Sequence, residues 1–79
     1  MSSTEKDAVE LIEFIAKAMV NEPDEIKVSA VDDGQVLELE TTNSVRGRVI
    51  GRQGRVVKAM RAVLAASRVG DDRELEIID

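Results

Sequence analysis

Two glycines three residues apart, Gly51 and Gly54, interrupt a stretch otherwise patterned as helix. Before them, Asn43 or Ser44 is placed to cap a short helix of about residues 44–50, which Gly51 stops. After them a longer helix starts near Gly54 and runs to about Arg68. It turns Val57, Leu64 and either Met60 or the flanking Val56 and Val63 inward, and Gly70 caps its end. Glycine at each end of so tight a turn accepts a positive φ and lets the backbone approach another group closely. The chain therefore contains a helix–turn–helix unit, and the rest of it must cover that unit's apolar faces.

With 79 residues there is material for one domain, 5–79, behind a disordered tail over residues 1–4. A helix is expected over about residues 5–20. Thr4 is placed to cap it. Ala8, Ile12, Ile15 and Met19 recur at helical spacing, Leu11, Phe14 and Ala18 widen the apolar side, and Glu13 and Lys17 form an i, i+4 pair. Asn21 and Pro23 end it. Alternation of Ile26, Val28 and Ala30, then of Leu37 and Leu39, marks two strands joined by an Asp33-Gly34 hairpin turn. A last strand over about residues 74–78 places Leu75 and Ile77 on one face. The order α-β-β-α-α-β predicts an α+β fold of two layers: a mixed three-stranded sheet with three helices on one face. The apolar side of the first helix is wide for so small a sheet. Leu11 and Phe14 either complete the core or meet a partner.

The formal net charge of −5 argues against a polyanionic ligand, but its distribution does not. Residues 1–40 hold 3 lysines against 11 acids. Residues 41–70 hold Arg46, Arg48, Arg52, Arg55, Lys58, Arg61 and Arg68 with no acid, a balance of +7. Screening confines a site to charges within about 8 Å at physiological salt, so the local sign outweighs the net sign. Arg61 and Arg68, farther along the helix, read as solvated surface. The chain has no cysteine and no histidine, which removes disulfides, thiolate metal sites and the commonest general base. No convergent carboxylate or lysine pair suggests catalysis, so no enzyme activity, cofactor or metal is expected. Asp32-Asp33 and Asp71-Asp72 have turn character and not ligand spacing. No signal peptide or membrane span is visible, and a cytoplasmic protein is expected.

The stretch from Arg46 to Lys58 reads Arg-Gly-Arg-Val-Ile-Gly-Arg-Gln-Gly-Arg-Val-Val-Lys. It resembles the KH family, whose pattern Val-Ile-Gly-x-x-Gly-x-x-apolar is filled by Val49, Ile50, Gly51, Gly54 and Val57. The helix and strand placed ahead of the kernel match the bacterial, type II KH arrangement. Length and element order resemble the small bacterial single-domain KH proteins of the KhpA type, as do Glu13-Phe14-Ile15-Ala16-Lys17 and the ending Glu76-Ile77-Ile78-Asp79. A phosphate-binding Gly-Lys-Ser/Thr sequence is absent, and Gly47-x-x-x-Gly51-x-x-Gly54 lacks the Gly-x-Gly of dinucleotide folds.

The resemblance implies a single-stranded RNA-binding protein, an RNA chaperone or post-transcriptional regulator. Its Gly-Arg-Gln-Gly loop would clamp the phosphate backbone, since KH loops hold about four nucleotides in this way. Arg52 and Gln53 would contact phosphate or ribose. Arg48, Arg55 and Lys58 would add charge-assisted contacts, and Val49, Ile50 and Val57 would floor a groove for bases. It further implies a homodimer, or a heterodimer with a Jag-like KH protein. Single-stranded DNA is an alternative ligand. An assembly module whose nucleic-acid contact is secondary is the competing reading.

Overall fold

The computed structural model describes residues 3–67 and 73–78. The order is α1 (Ser3–Ala18), a 3-10 turn (Pro23–Glu25), β1 (Ile26–Val31), β2 (Val36–Thr41), α2 (Asn43–Ile50), a second 3-10 turn (Arg52–Gly54), α3 (Arg55–Ala66) and β3 (Glu74–Ile78). The expected α+β architecture is present: three helices against a mixed three-stranded sheet. Strand order is β1-β2-β3, with β1 and β2 antiparallel and β2 and β3 parallel. The parallel pair is possible because α2 and α3 form the crossover.

α1 begins at Ser3, so Ser3 and Thr4 are helical and Thr4 lies inside the helix it was expected to cap. The helix closes at Ala18, two residues early, and Pro23 opens the following 3-10 turn, where its missing N–H costs nothing. The stripe α1 buries is Ala8, Ile12 and Ala16, with Val9, Leu11 and Ile15 half-buried beside it. Two alanines in that stripe let the helix lie close on β1. Phe14, Ala18 and Met19 do not join the core. Phe14 lies two residues from both Ile12 and Ala16, about 200° around the helix, and points away. The Glu13–Lys17 pair forms at 3.7 Å, an exposed contact of the kind worth about 0.3–0.5 kcal/mol.

The strands alternate as their sequences require. Val28, Leu39 and Ile77 make one row across the inner face, and Ala30, Leu37 and Leu75 the next. α3 supplies Val57, Met60 and Leu64 to this layer, and α2 supplies Val45 and Val49. The hairpin turn centres on Asp33-Gly34, as expected. Val31 pairs with Val36, leaving a loop over residues 32–35 in which Asp32, Asp33 and Gly34 all have positive φ. The Gly34 carbonyl accepts a hydrogen bond from Arg73, and a β-carbon on Gly34 would stand 2.2 Å from the Glu5 carboxylate. Glycine at this position lets the hairpin tip pack against α1 and the start of β3.

Ser67 ends α3. Its extended backbone breaks the helix, and its hydroxyl donates to the Leu64 carbonyl at 2.9 Å. The expected cap at Gly70, and with it Arg68 and Asp71-Asp72, lies outside the described residues. Arg61 is exposed, as expected, and its Nε and Nη2 both donate to the Leu75 carbonyl, at 3.3 and 3.1 Å, tying α3 to β3.

Thr41 ends the inner face of β2 opposite Ile26. It is buried, and its hydroxyl finds no partner among the described residues. A buried hydroxyl without a hydrogen bond loses its water and gains nothing in return. Thr41→Val keeps the shape and removes that penalty. It is expected to raise stability by about 1 kcal/mol, read in thermal unfolding as a Tm higher by about 4–8 °C. An unchanged or lower Tm would show that the hydroxyl is satisfied in solution.

Candidate nucleic-acid interface

The loop between α2 and α3 is one 3-10 turn flanked by glycines. Gly51 N–H donates to the Gly47 carbonyl at 2.8 Å and closes α2. Gly54 N–H donates back to the Gly51 carbonyl at 3.0 Å, and α3 starts at the next residue. Three of the four loop residues have positive φ: Gly51 (82°), Gln53 (59°) and Gly54 (73°).

The two glycines are required for different reasons. Gly51 pairs φ 82° with ψ 167°, a region essentially closed to residues with a β-carbon. A β-carbon there would also lie 2.5 Å from Val56 Cγ2 and 2.8 Å from the Val56 nitrogen. At Gly54, φ 73° and ψ 17° are ordinary left-handed values that asparagine tolerates. A β-carbon at Gly54 would meet nothing closer than Lys58 Cε and Val57 Cγ1 at 3.9 Å. The backbone at Gly54 is therefore open to an approaching group, just where the positive end of the α3 dipole begins without a side-chain cap.

The basic side chains expected around the loop gather there. Arg48, Arg52, Gln53, Arg55 and Lys58 are all exposed, and Arg55 Nη2 reaches Gln53 Oε1 at 3.5 Å. Among the described residues, no carboxylate pairs with Arg48, Arg52 or Lys58, and the segment 41–70 contains none. The apolar floor is smaller than expected. Val49 is fully buried and Val57 is 7% exposed; both are committed to the core, and they hold the helices together without offering a surface. Of the three, Ile50 alone keeps accessible area. The sequence reading used Gly47 only to set aside a dinucleotide fold and gave it no place at the loop. It stands one turn before Gly51 on an exposed helix face, and no atom comes within 4 Å of where its β-carbon would be. Its signal was the i, i+4 spacing to Gly51.

The start of α2 is fixed by a carboxylate from the turn before β1. Ser44 donates to Glu25 Oε1 at 2.7 Å, Thr42 donates to the same oxygen, and the two hydroxyls stand 3.0 Å apart. Thr42 is the N-cap residue, though its own side chain does not cap the helix. The bonds from Thr42 and then Ser44 stabilise the ionised carboxylate and hold Glu25 below the usual carboxylate range. Among the described residues, no group of three or more acids, histidines or cysteines is placed to hold a metal ion, and no helix is long and apolar enough to cross a membrane.

A model of the KH domain of KhpA and KhpB matches residues 9–77. The chain belongs to the KhpA/KhpB KH-domain family. Among its relatives is an RNA-binding protein KhpA of Halalkalibacterium halodurans, 44% identical over 73 residues that cover 87% of this chain and 96% of the relative. RNA-binding proteins KhpA of Clostridium acetobutylicum (41% over 70 residues, 86% and 93% covered) and Borreliella burgdorferi (40% over 75 residues, 90% and 92% covered) are similar over the same extent. No solved structure matches the chain. The KH family's Val-Ile-Gly-x-x-Gly pattern thus falls on residues that form a real, tightly constrained turn here.

Two outcomes are expected from the loop and its support. Gly54→Ala should cost about 1–2 kcal/mol, and Gly54→Asn less. Gly51→Ala should cost about 1–3 kcal/mol more than Gly54→Ala because Val56 must also move. Urea denaturation checks the order, and equal losses at the two positions would show that Val56 yields freely. Glu25 has a folded pKa below its unfolded one, so its contribution is present above the usual carboxylate range and is lost as pH falls through the lowered value. An NMR titration should show its carboxyl carbon shifting below about pH 4.3, and the difference in stability between wild type and Glu25→Gln should shrink as pH falls through that window.

Proposed function

We propose that the chain binds single-stranded RNA, with the Gly51-Arg52-Gln53-Gly54 loop clamping the phosphate backbone, as an RNA chaperone or post-transcriptional regulator in the cytoplasm. The observation that carries this reading is the loop itself. Its backbone is open at Gly54, it sits at the N-terminal end of α3, and it is flanked by exposed Arg48, Arg52 and Lys58, which have no carboxylate partner among the described residues. Phosphate would be held by backbone N–H groups and the helix dipole, while Arg52 and Lys58 neutralise charge. Arg55 would orient Gln53 toward ribose or phosphate. Ile50 and the bare surface at Gly47 would lie under the adjoining nucleotide. The role is binding without chemistry, in keeping with relatives named RNA-binding proteins and with a chain that has no histidine or cysteine.

The test is a titration of a fluorescent single-stranded RNA pool against wild type and Arg52→Asp/Gln53→Asp at several salt concentrations, with single-stranded DNA in parallel. The double variant keeps both glycines and reverses the charge at the clamp. Wild type is expected to bind with a log–log salt slope of about −1.4 to −2.8, corresponding to two to four neutralised phosphates, and the folded variant to lose binding. Equal binding by both proteins would place the RNA elsewhere, and tighter binding of DNA would change the ligand.

A second reading, in which the fold serves assembly, is favoured by a separate observation: Phe14, Met19 and Val63 stand exposed on the helical layer. The two surfaces meet at Arg55, which borders both the loop and the groove beside Met19 and Val63.

A further inference from the structure

A sheet of order β1-β2-β3 has two free edges, and β3 is one of them. Its first residue fixes which backbone groups face outward. The Glu74 N–H donates to the Gln35 carbonyl at 2.8 Å, so Glu74 turns its N–H and C=O toward β2. Backbone groups alternate sides along a strand. Glu76 and Ile78 therefore also face β2, while Leu75 and Ile77 present their N–H and C=O at the open edge. The strand reads Glu-Leu-Glu-Ile-Ile, without the lysine or proline that discourages pairing with another chain. The opposite edge strand, β1, has Lys27 exposed within it and Pro23 just ahead of it. Beside the β3 edge lies an open recess of about 410 Å³, between Arg61 and Leu64 of α3 and Glu74, Leu75 and Glu76 of β3.

One side chain reaches across that recess. Arg61 donates from both Nε and Nη2 to the Leu75 carbonyl, at 3.3 and 3.1 Å. We propose that Arg61 guards the β3 edge: it holds the outward carbonyl of Leu75 and stands where an added strand would lie, so that β3 does not pair further. Paired strands lie about 4.7–4.9 Å apart, and a guanidinium bonded to the outward carbonyl occupies that space. An incoming strand would have to break both Arg61 bonds before its own N–H reached Leu75. The exposed carboxylates of Glu74 and Glu76 set a second barrier, because a second acidic strand such as another β3 would be repelled. Salt screens that repulsion, whereas the Arg61 bonds act at contact. The inference does not depend on the RNA reading, and it concerns the edge of the sheet and not the apolar face of the helices.

Sedimentation velocity and amide hydrogen exchange on the full chain test it. Wild type, Arg61→Lys and Arg61→Met are compared at low salt and at about 1 M salt, where the screening length falls to about 3 Å and the glutamates no longer repel. Arg61→Met keeps an unbranched apolar stem and loses every donor; Arg61→Lys keeps a single donor group on a flexible stem. At high salt, folded Arg61→Met is expected to form species larger than any that wild type forms at the same concentration, and Arg61→Lys fewer of them. In those species the Leu75 and Ile77 amides should exchange at least about tenfold more slowly than in wild type, as amides newly bonded to another strand. At low salt both variants should stay closer to wild type. The inference is overturned if folded Arg61→Met has the wild-type size distribution in both salts; Arg61 then only ties α3 to β3, and a lower Tm is its whole effect. It is equally overturned if larger species form but the protected amides lie elsewhere. Should Arg61→Met fail to fold, the same two readouts on Arg61→Lys decide in the same sense.

Discussion

Where α2 meets α3, the backbone of Gly51 lies against Val56 with no room for a β-carbon. That contact allows the chain to leave one helix and enter the next within a single 3-10 turn, and much else depends on how tight the turn is. Val49 on one side and Val57 on the other both reach the core because the reversal is short. With the two helices pinned, the first turn of α3 opens toward solvent at Gly54, and the basic side chains on either side of the loop are drawn into one neighbourhood. The Glu25 carboxylate, bonded to Thr42 and Ser44, fixes the other end of α2. The proposed clamp is therefore held at both ends of its leading helix by contacts that do not themselves face a ligand.

Charge is segregated by the same architecture. Lys27, Glu38, Glu40, Glu74 and Glu76 take the alternate positions that turn away from the helices, with Glu38 beside Glu76 in the parallel register. Like charges on neighbouring strands cost some stability. They give the outer sheet face a sign that repels a polyanion. The basic loop lies in the helical layer, on the other side. A net charge of −5 thus conceals an acidic outer sheet face and a basic loop on the helical side.

Much of this was legible in the residues. The alternation of Val28 and Leu39, the helical spacing of Val57, Met60 and Leu64, and the breaks at Gly51 and Gly54 are local signals, and local signals survive folding when they agree with burial. The hairpin turn falls on Asp33-Gly34 because the register that buries the strand faces, with Val31 opposite Val36, agrees with the preference of Asp-Gly for the turn centre. Arg61 is exposed as its position indicated, but no sequence pattern shows that the Leu75 carbonyl, fourteen residues on, comes within its reach.

The amino-acid sequence by itself determined the order of elements, the position of the loop and the sign of the charge around it, because each rests on residues adjacent in the chain. Only the tertiary structure decided which apolar residues remain outside. Helical periodicity gave α1 a broad apolar side, but a three-stranded sheet accepts only the stripe through Ala8, Ile12 and Ala16, so Phe14 and Met19 were left in solvent. It likewise moved Val49 and Val57 from a presumed groove floor into the core. How much of an apolar face is covered depends on the area of the layer packed against it, and that area comes from strands distant in the chain.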